Sequence, residues 1–220
     1  MTNDAELKEL IVSARKEIKK RNFDQSIDLT IVLKDIDVKK GFSFNEVVYL
    51  PNKPTRKATV CVVASGEMGT RAKRAEADKI IEADELDRLG TNKKEAKKLA
   101  KAYDFFVSDT SLMATVGRSL GQFLGPKGKM PTPLPYGAPI ENMLDRLRSS
   151  VRVRVRNQLN VSTRIGDEKM DDKQLVQNAN AILSAIEKKL PQGDKNIRNT
   201  FVKLTMGNSI SLSALSQKKK

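Results

Sequence analysis

Histidine is absent from the chain, which removes the commonest general base and the commonest transition-metal ligand. Cysteine occurs once, at Cys61, so an internal disulfide framework and a cysteine-based zinc cluster are excluded. That cysteine lies in the apolar run ATVCVVAS, the setting of a small buried core residue rather than of a nucleophile. No apolar run reaches the length of a membrane span, and the opening MTNDAELKEL is acidic and polar, without the pattern of a signal peptide. A cytoplasmic protein with no membrane partner is expected. No repeat of fixed period occurs. These absences do not forbid catalysis, but its usual instruments are missing.

What is present is charge. The 220 residues hold 41 Lys and Arg against 27 Asp and Glu, a formal net charge of +14. With 39% hydrophobic and 31% charged residues, the chain is globular and long enough for one large domain or two modest ones. A balance this basic points to a polyanion, nucleic acid foremost. Neutralised phosphates release counterions and give affinity without a dedicated pocket.

Leu7, Leu10, Ile11, Ala14 and Ile18 stand at helical spacing over 4–20, behind Asn3 or Asp4 as N-cap. The segment SIDLTIVL at 26–33 alternates and predicts a strand; 46–50 predicts a second, closed by Pro51. After the link PNKPTRK the grain changes. Residues 58–65 form a continuous apolar run of the kind buried on both faces of a sheet. A helix is predicted over 67–77, a short strand over 79–82, a helix over 93–103, a buried strand over 104–108, and helices over 112–124 and 140–148. Strands alternating with helices predict a three-layer α/β unit with a largely parallel sheet. Alternation returns in VRVRVR at 151–156 and again at 161–165. An amphipathic helix follows over 171–190, and strands over 199–205 and 209–212 flank Gly207 and Asn208. Both ends of the chain thus read as strands with an amphipathic helix. The α/β unit is therefore expected as an insertion in a split first domain.

Residues 121–139 read GQFLGPKGKMPTPLPYGAP, with five prolines and four glycines. This composition specifies a shaped loop that neither helix nor sheet would absorb, anchored by Leu124, Met130, Leu134 and Tyr136. Its GPKGK fails as a phosphate loop. A Walker-type loop needs Gly, four residues, then Gly-Lys-Ser/Thr, whereas Phe123 stands at the first position and Met130 follows Lys129. No dinucleotide fingerprint follows the 58–65 run either, where the turn reads SGEMG. No cofactor is expected.

Four features admit two readings each. VRVRVR puts Arg152, Arg154 and Arg156 on one strand face, as a cationic stripe for phosphate or as the solvated side of a half-buried strand. Lys93, Lys94, Lys97, Lys98 and Lys101 share one helix with Glu95, an exposed face rather than a reader of bases. Phe23, between KKRN and a strand, either packs on sugar or base while Arg21 meets phosphate, or staples into the core. TMGNS at 205–209 is either a plain hairpin turn or an RNA contact. In the second case Gly207 admits a close backbone, Thr205 and Ser209 bond a 2′-hydroxyl or phosphate, and Met206 lies flat against a sugar and base.

Three segments, GQFLGPKGKMPTP at 121–133, FDQS at 23–26 and FVKLTMGNS at 201–209, carry a resemblance that runs essentially end to end. The chain resembles the family of ribosomal protein one of the large subunit, the stalk protein beside the tRNA exit site. The short stretch before the first helix is more like archaeal members than bacterial ones. The resemblance implies an α/β fold in two parts: a split α/β-sandwich first domain, 1–65 plus 156–220, and an inserted Rossmann-like domain, 66–155. It implies binding to the large-subunit rRNA stalk, help in releasing deacylated exit-site tRNA, and repression through the protein's own mRNA. It also implies a monomer when free. The first domain is expected to carry most RNA affinity through Arg21, Phe23, Ser26, Arg164, Asn199, Lys203, Thr205, Met206, Gly207 and Ser209. Lys127 and Lys129 are expected as a secondary RNA contact. Two departures stand out: Asn22 where many relatives are basic, so that Arg21 supplies the charge, and Asn208 where proline is frequent. The alternative is an α/β enzyme acting on a phosphorylated or nucleic-acid substrate. The alternating middle and the glycine-rich loop favour it; the missing histidine, missing fingerprint and lack of clustered carboxylates oppose it.

Overall fold

The computed structural model describes residues 4–16, 21–37, 41–135 and 137–211. The Asn3 cap, the continuation of the first helix to residue 20, the Tyr136 anchor and Leu212 lie outside them. In chain order the elements are α1 (Asp4–Lys16), β1 (Ser26–Leu33), β2 (Phe44–Tyr49), β3 (Val60–Val63), α2 (Gly66–Arg74), β4 (Lys79–Ile81), α3 (Ala83–Thr91) and α4 (Lys93–Ala102). They continue as β5 (Phe105–Asp109), α5 (Met113–Leu124), β6 (Thr132–Leu134), α6 (Ile140–Arg148), β7 (Ser150–Val155), β8 (Asn160–Asp167), α7 (Asp172–Glu187), β9 (Ile197–Leu204) and β10 (Ile210–Ser211).

These elements divide into two compact units, residues 1–56 with 149–220, and residues 57–148. The junctions expected at 65/66 and 155/156 are thereby corrected. The apolar 58–65 run starts the sheet of the inserted unit, and VRVRVR belongs to the first unit, where β7 pairs antiparallel with β2. Strand pairing decides both memberships, and pairing is not a local property of either segment.

In unit 1 the alternation of β1 buries Ile27, Leu29, Ile31 and Leu33 and turns Ser26, Asp28, Thr30 and Val32 to the other face. β1 lies inside an antiparallel sheet of order β10-β9-β1-β8. One face is covered by the apolar stripes of α1 (Leu7, Leu10, Ile11) and α7 (Leu175, Ala179, Ile182), which share a core with the β1 side chains. β2 and β7 add Val48, Val153 and Val155 to that core. The valines of VRVRVR therefore point inward, and Arg152 and Arg154 stand half-buried on the opposite face.

Unit 2 is built on a parallel sheet of order β4-β3-β5-β6. Successive residues of β3 enter opposite cores. Val60 and Val62 pack with Met68 and Ala72 of α2 and Ile140 and Leu144 of α6. Cys61 and Val63 pack with Leu86 of α3, Ala96 of α4 and Leu120 of α5. Helices on both faces of a parallel sheet give the expected three-layer α/β class.

Two elements were not expected. α3, ADELDRLGT, buries only Leu86 and Leu89 and has no side-chain cap at Glu82, so its periodicity is too short to register. The loop over 121–139 is not refused by helix and sheet: residues 121–124 close α5, and residues 132–134 form β6 beside β5. Pro133 is admitted because β6 is an edge strand, paired on one side only. Leu124 and Leu134 are buried anchors, but Met130 is 44% exposed and anchors nothing.

Candidate nucleic-acid interface

Ile27 pairs with Leu204, so FDQS before β1 and TMGNS after β9 leave the sheet at the same end. Backbone and hydroxyl bonds lock them together. Thr205 N donates to Ser26 O at 3.1 Å, Ser26 N donates to Thr205 Oγ1 at 3.1 Å, and that hydroxyl donates to Ser26 O at 3.3 Å. Behind them Gln25 is buried, with its Oε1 accepting from Met206 N at 3.2 Å. Gly207 N closes the turn on Leu204 O at 3.0 Å.

On this fixed frame the two large apolar side chains point into solvent: Phe23 is 50% and Met206 60% exposed. The staple reading of Phe23 falls, because a ring packed into the core would be covered. Gly207 is also informative. A Cβ there would meet only Leu204, its Cβ at 3.4 Å and its backbone N and O at 3.6 and 3.7 Å, ordinary contacts, and its φ is not in the left-handed region. The fold does not require glycine at 207; glycine leaves the turn without a side chain there.

One row inward, Asp28 stands between Arg164 of β8 and Lys203 of β9. A bulge between Ile27 and Asp28 shifts the β8 register and brings Arg164 opposite. Burial raises the Asp28 carboxyl above its ordinary range, and Lys203 and Arg164 pull it back. Arg164 is also paired with the buried Asp167, whose other oxygen accepts from Thr55 N at 2.7 Å. The next row sets Thr30 beside Ser162, Oγ1 to Oγ 3.0 Å, and beside Phe201. The last row sets Val32 beside Asn199. These rows lie on the sheet face that α1 and α7 leave uncovered.

The structure thus gathers Phe23, Ser26, Thr205, Met206 and Gly207 at one end of the sheet, with Arg164 and Lys203 beside them. Arg21 and Ser209 are exposed near the same strand ends. Asn199 shares the face but sits roughly 17 Å down β9 from Leu204, five residues at strand rise. Lys127 and Lys129 belong to unit 2. Lys127 is exposed, while the Lys129 ammonium donates to Tyr103 O at 2.6 Å and Ala100 O at 3.3 Å and is spent on the end of α4. Sequence reasoning passed over Gln25 and Asp28. In the sequence, an amide between Phe23 and Ser26 is the one signal for Gln25. Asp28 acquires meaning only from partners distant in sequence.

Chemically the arrangement offers exposed apolar side chains, a hydroxyl and cationic groups on a hydrogen-bonded backbone frame. Burial pushes the Cys61 thiol up to about 12, so it offers no thiolate. Among the described residues no group of three or more His, Cys, Asp or Glu is placed to hold a metal ion. Among them, too, no helix is long and apolar enough to cross a membrane.

Residues 15–208 match the profile of the ribosomal protein L1p/L10e family. Over 213 residues the chain is 55% identical to the large ribosomal subunit protein uL1 of Cenarchaeum symbiosum, covering 97% of this chain and 98% of that protein. It is 43% identical over 203 residues to the uL1 of Methanothermobacter thermautotrophicus, covering 92% and 96% respectively. It is 44% identical over 209 residues to that of Thermofilum pendens, covering 94% and 91%. These are archaeal members of a non-enzymatic family, and the α/β-enzyme alternative is set aside. The chain belongs to the ribosomal protein L1p/L10e family.

Proposed function

We propose that this chain is a structural protein of the large ribosomal subunit, held on the stalk ribosomal RNA by the open end of its unit 1 sheet. One observation carries the reading: Met206, on a turn whose backbone hydrogen bonds fix from behind, and Phe23, just before the strand to which that turn is bonded, are displayed to solvent. A backbone already ordered loses little freedom on binding, so contact area is retained as affinity. Arg21, Lys203 and Arg164 supply positive charge for phosphates. The Thr205 hydroxyl uses its proton and one lone pair on Ser26, which leaves one lone pair to accept from a 2′-hydroxyl.

A surface of this kind reads the shape of an RNA more than its bases. The protein's own mRNA, folded into the same shape, is therefore a second ligand, and binding it represses translation. On the ribosome the chain assists release of deacylated tRNA from the exit site. That role is supported by the family resemblance rather than by this surface. Off the ribosome the chain is a monomer.

Filter-binding titration against a stalk rRNA fragment tests the site. Met206→Asp and Thr205→Ala are each expected to weaken binding tenfold or more, on the order of 1–3 kcal/mol for a contact at a buried RNA interface. Unchanged affinity in both variants, with the melting temperature retained, would sink the site. The same titration with the leader of the protein's own mRNA as competitor tests repression, and failure to displace the rRNA fragment would remove that role alone.

A further inference from the structure

α4 is a short helix with an unusual surface. Lys93, Lys94, Lys97, Lys98 and Lys101 are all exposed on it. At about 100° per residue these five fall within one arc of about 140°, and that arc holds nothing but lysine. Ala96 and Ala100 are buried on the other side, and Glu95, the helix's one carboxylate, lies about 60° beyond the arc.

This arrangement works against the helix that carries it. Lys93 with Lys97, Lys94 with Lys98, and Lys97 with Lys101 are like charges four residues apart, which repel. Lys93 and Lys94 also sit at the positive end of the helix dipole. Among the described residues none of the five has an ion pair or hydrogen bond that would compensate, in contrast to Lys73 and Lys79 of the same unit, which reach Glu82 and Glu85. At the far end Lys129 docks the GPKGK turn onto the last carbonyls of α4 and leaves Lys127 of that turn exposed.

We propose that the α4 lysine arc is a second RNA surface, a sequence-independent seat for the phosphate backbone of double-helical RNA. Ten helical residues span about 15 Å, and an A-form RNA duplex, more compressed along its axis than B-DNA, sets several phosphates of one strand along that length. Lysine is a point charge without a planar fork, and the arc has no aromatic side chain to stack on a base, so backbone and not sequence is what it reads. The surface lies in unit 2 and does not depend on the unit 1 site.

The test uses the full chain and a 20-base-pair RNA duplex of arbitrary sequence, followed by fluorescence anisotropy at several salt concentrations. Five Lys→Gln changes in α4 are made alone and in a Met206→Asp background. Both are expected to bind the duplex at least about tenfold more weakly, with a log–log salt slope shallower by about 3–4. Melting temperature should be unchanged or higher, and the five Lys→Arg changes should retain binding. Met206→Asp alone should lower affinity for the stalk fragment and leave the arbitrary duplex unaffected, so failure of the unit 1 reading shows separately. Unchanged affinity and slope in the Lys→Gln chain would overturn the proposal. So would displacement of the duplex by polyglutamate at equal charge, which would mark the arc as a seat for an acidic protein.

Discussion

Gly166 and Gly207 are the same residue under opposite constraints. A Cβ on Gly166 would come within 2.6 Å of both Leu175 Cδ2 and Met170 Sδ, inside the unit 1 core. A Cβ on Gly207 would find only Leu204, at 3.4 Å. Gly166→Ala is therefore predicted to lower stability by about 1–3 kcal/mol through overpacking, read as a lower urea midpoint, with RNA affinity of the folded fraction retained. Gly207→Val should leave the urea midpoint in place and weaken binding to the stalk fragment severalfold. The reverse assignment would remove the argument that room at 207 belongs to RNA. In the sequence, TMG marked the second glycine, and nothing marked the first. The side chains that crowd Gly166 come from α7 and the turn before it, a packing that no local pattern encodes. Asp28 was hidden for a related reason: alternation sets it only on the face opposite Ile27 and Leu29, and strand pairing alone puts Arg164 and Lys203 beside it.

Elements were legible where their pattern was long and their environment simple. β1 alternates over eight residues and α6 occupies the predicted 140–148. α3 and β6 escaped, one for having two buried leucines, the other because proline is tolerated only once an edge is known to exist. α7 has a second role that its apolar stripe did not show. Asn178, fully buried on it, accepts from Asn52 N at 2.9 Å and donates to Asn52 O at 3.0 Å and Ile165 O at 2.8 Å. One amide thus ties helix, sheet and the segment after β2. Asn178→Ala leaves three backbone groups without that partner and is predicted to cost about 2–4 kcal/mol, measured by urea unfolding. A change below about 0.5 kcal/mol would mean that water replaces the amide.

At the scale of the molecule, unit 1 has one core and unit 2 has two, on the opposite faces of its own sheet, so stability is a local quantity. Cys61 reports on one of them, since it is buried in unit 2 with its thiol pushed up to about 12. Labelling by a disulfide reagent in the native state should be orders of magnitude slower than for a free thiol. Asn178→Ala, which loosens unit 1, should not speed that labelling. If labelling accelerates as unit 1 is destabilised, the two units unfold as one. The fold class and the split were readable because both chain ends share one grain and the middle another. The boundaries were not, since the strands on either side of each crossing differ in their partners and not in their letters.

Unit 1 also says something about how such a chain is put together. Tyr49 of β2 pairs with Ser150 of β7, and Ala58 N donates to Arg148 O at 3.1 Å. From the standpoint of the first unit, the whole of residues 57–148 stands where a hairpin loop would stand. A loop whose ends already touch can lengthen at a free-energy cost that grows only with the logarithm of its length. Residues 57–148 can therefore be shortened or enlarged without changing a strand register in unit 1.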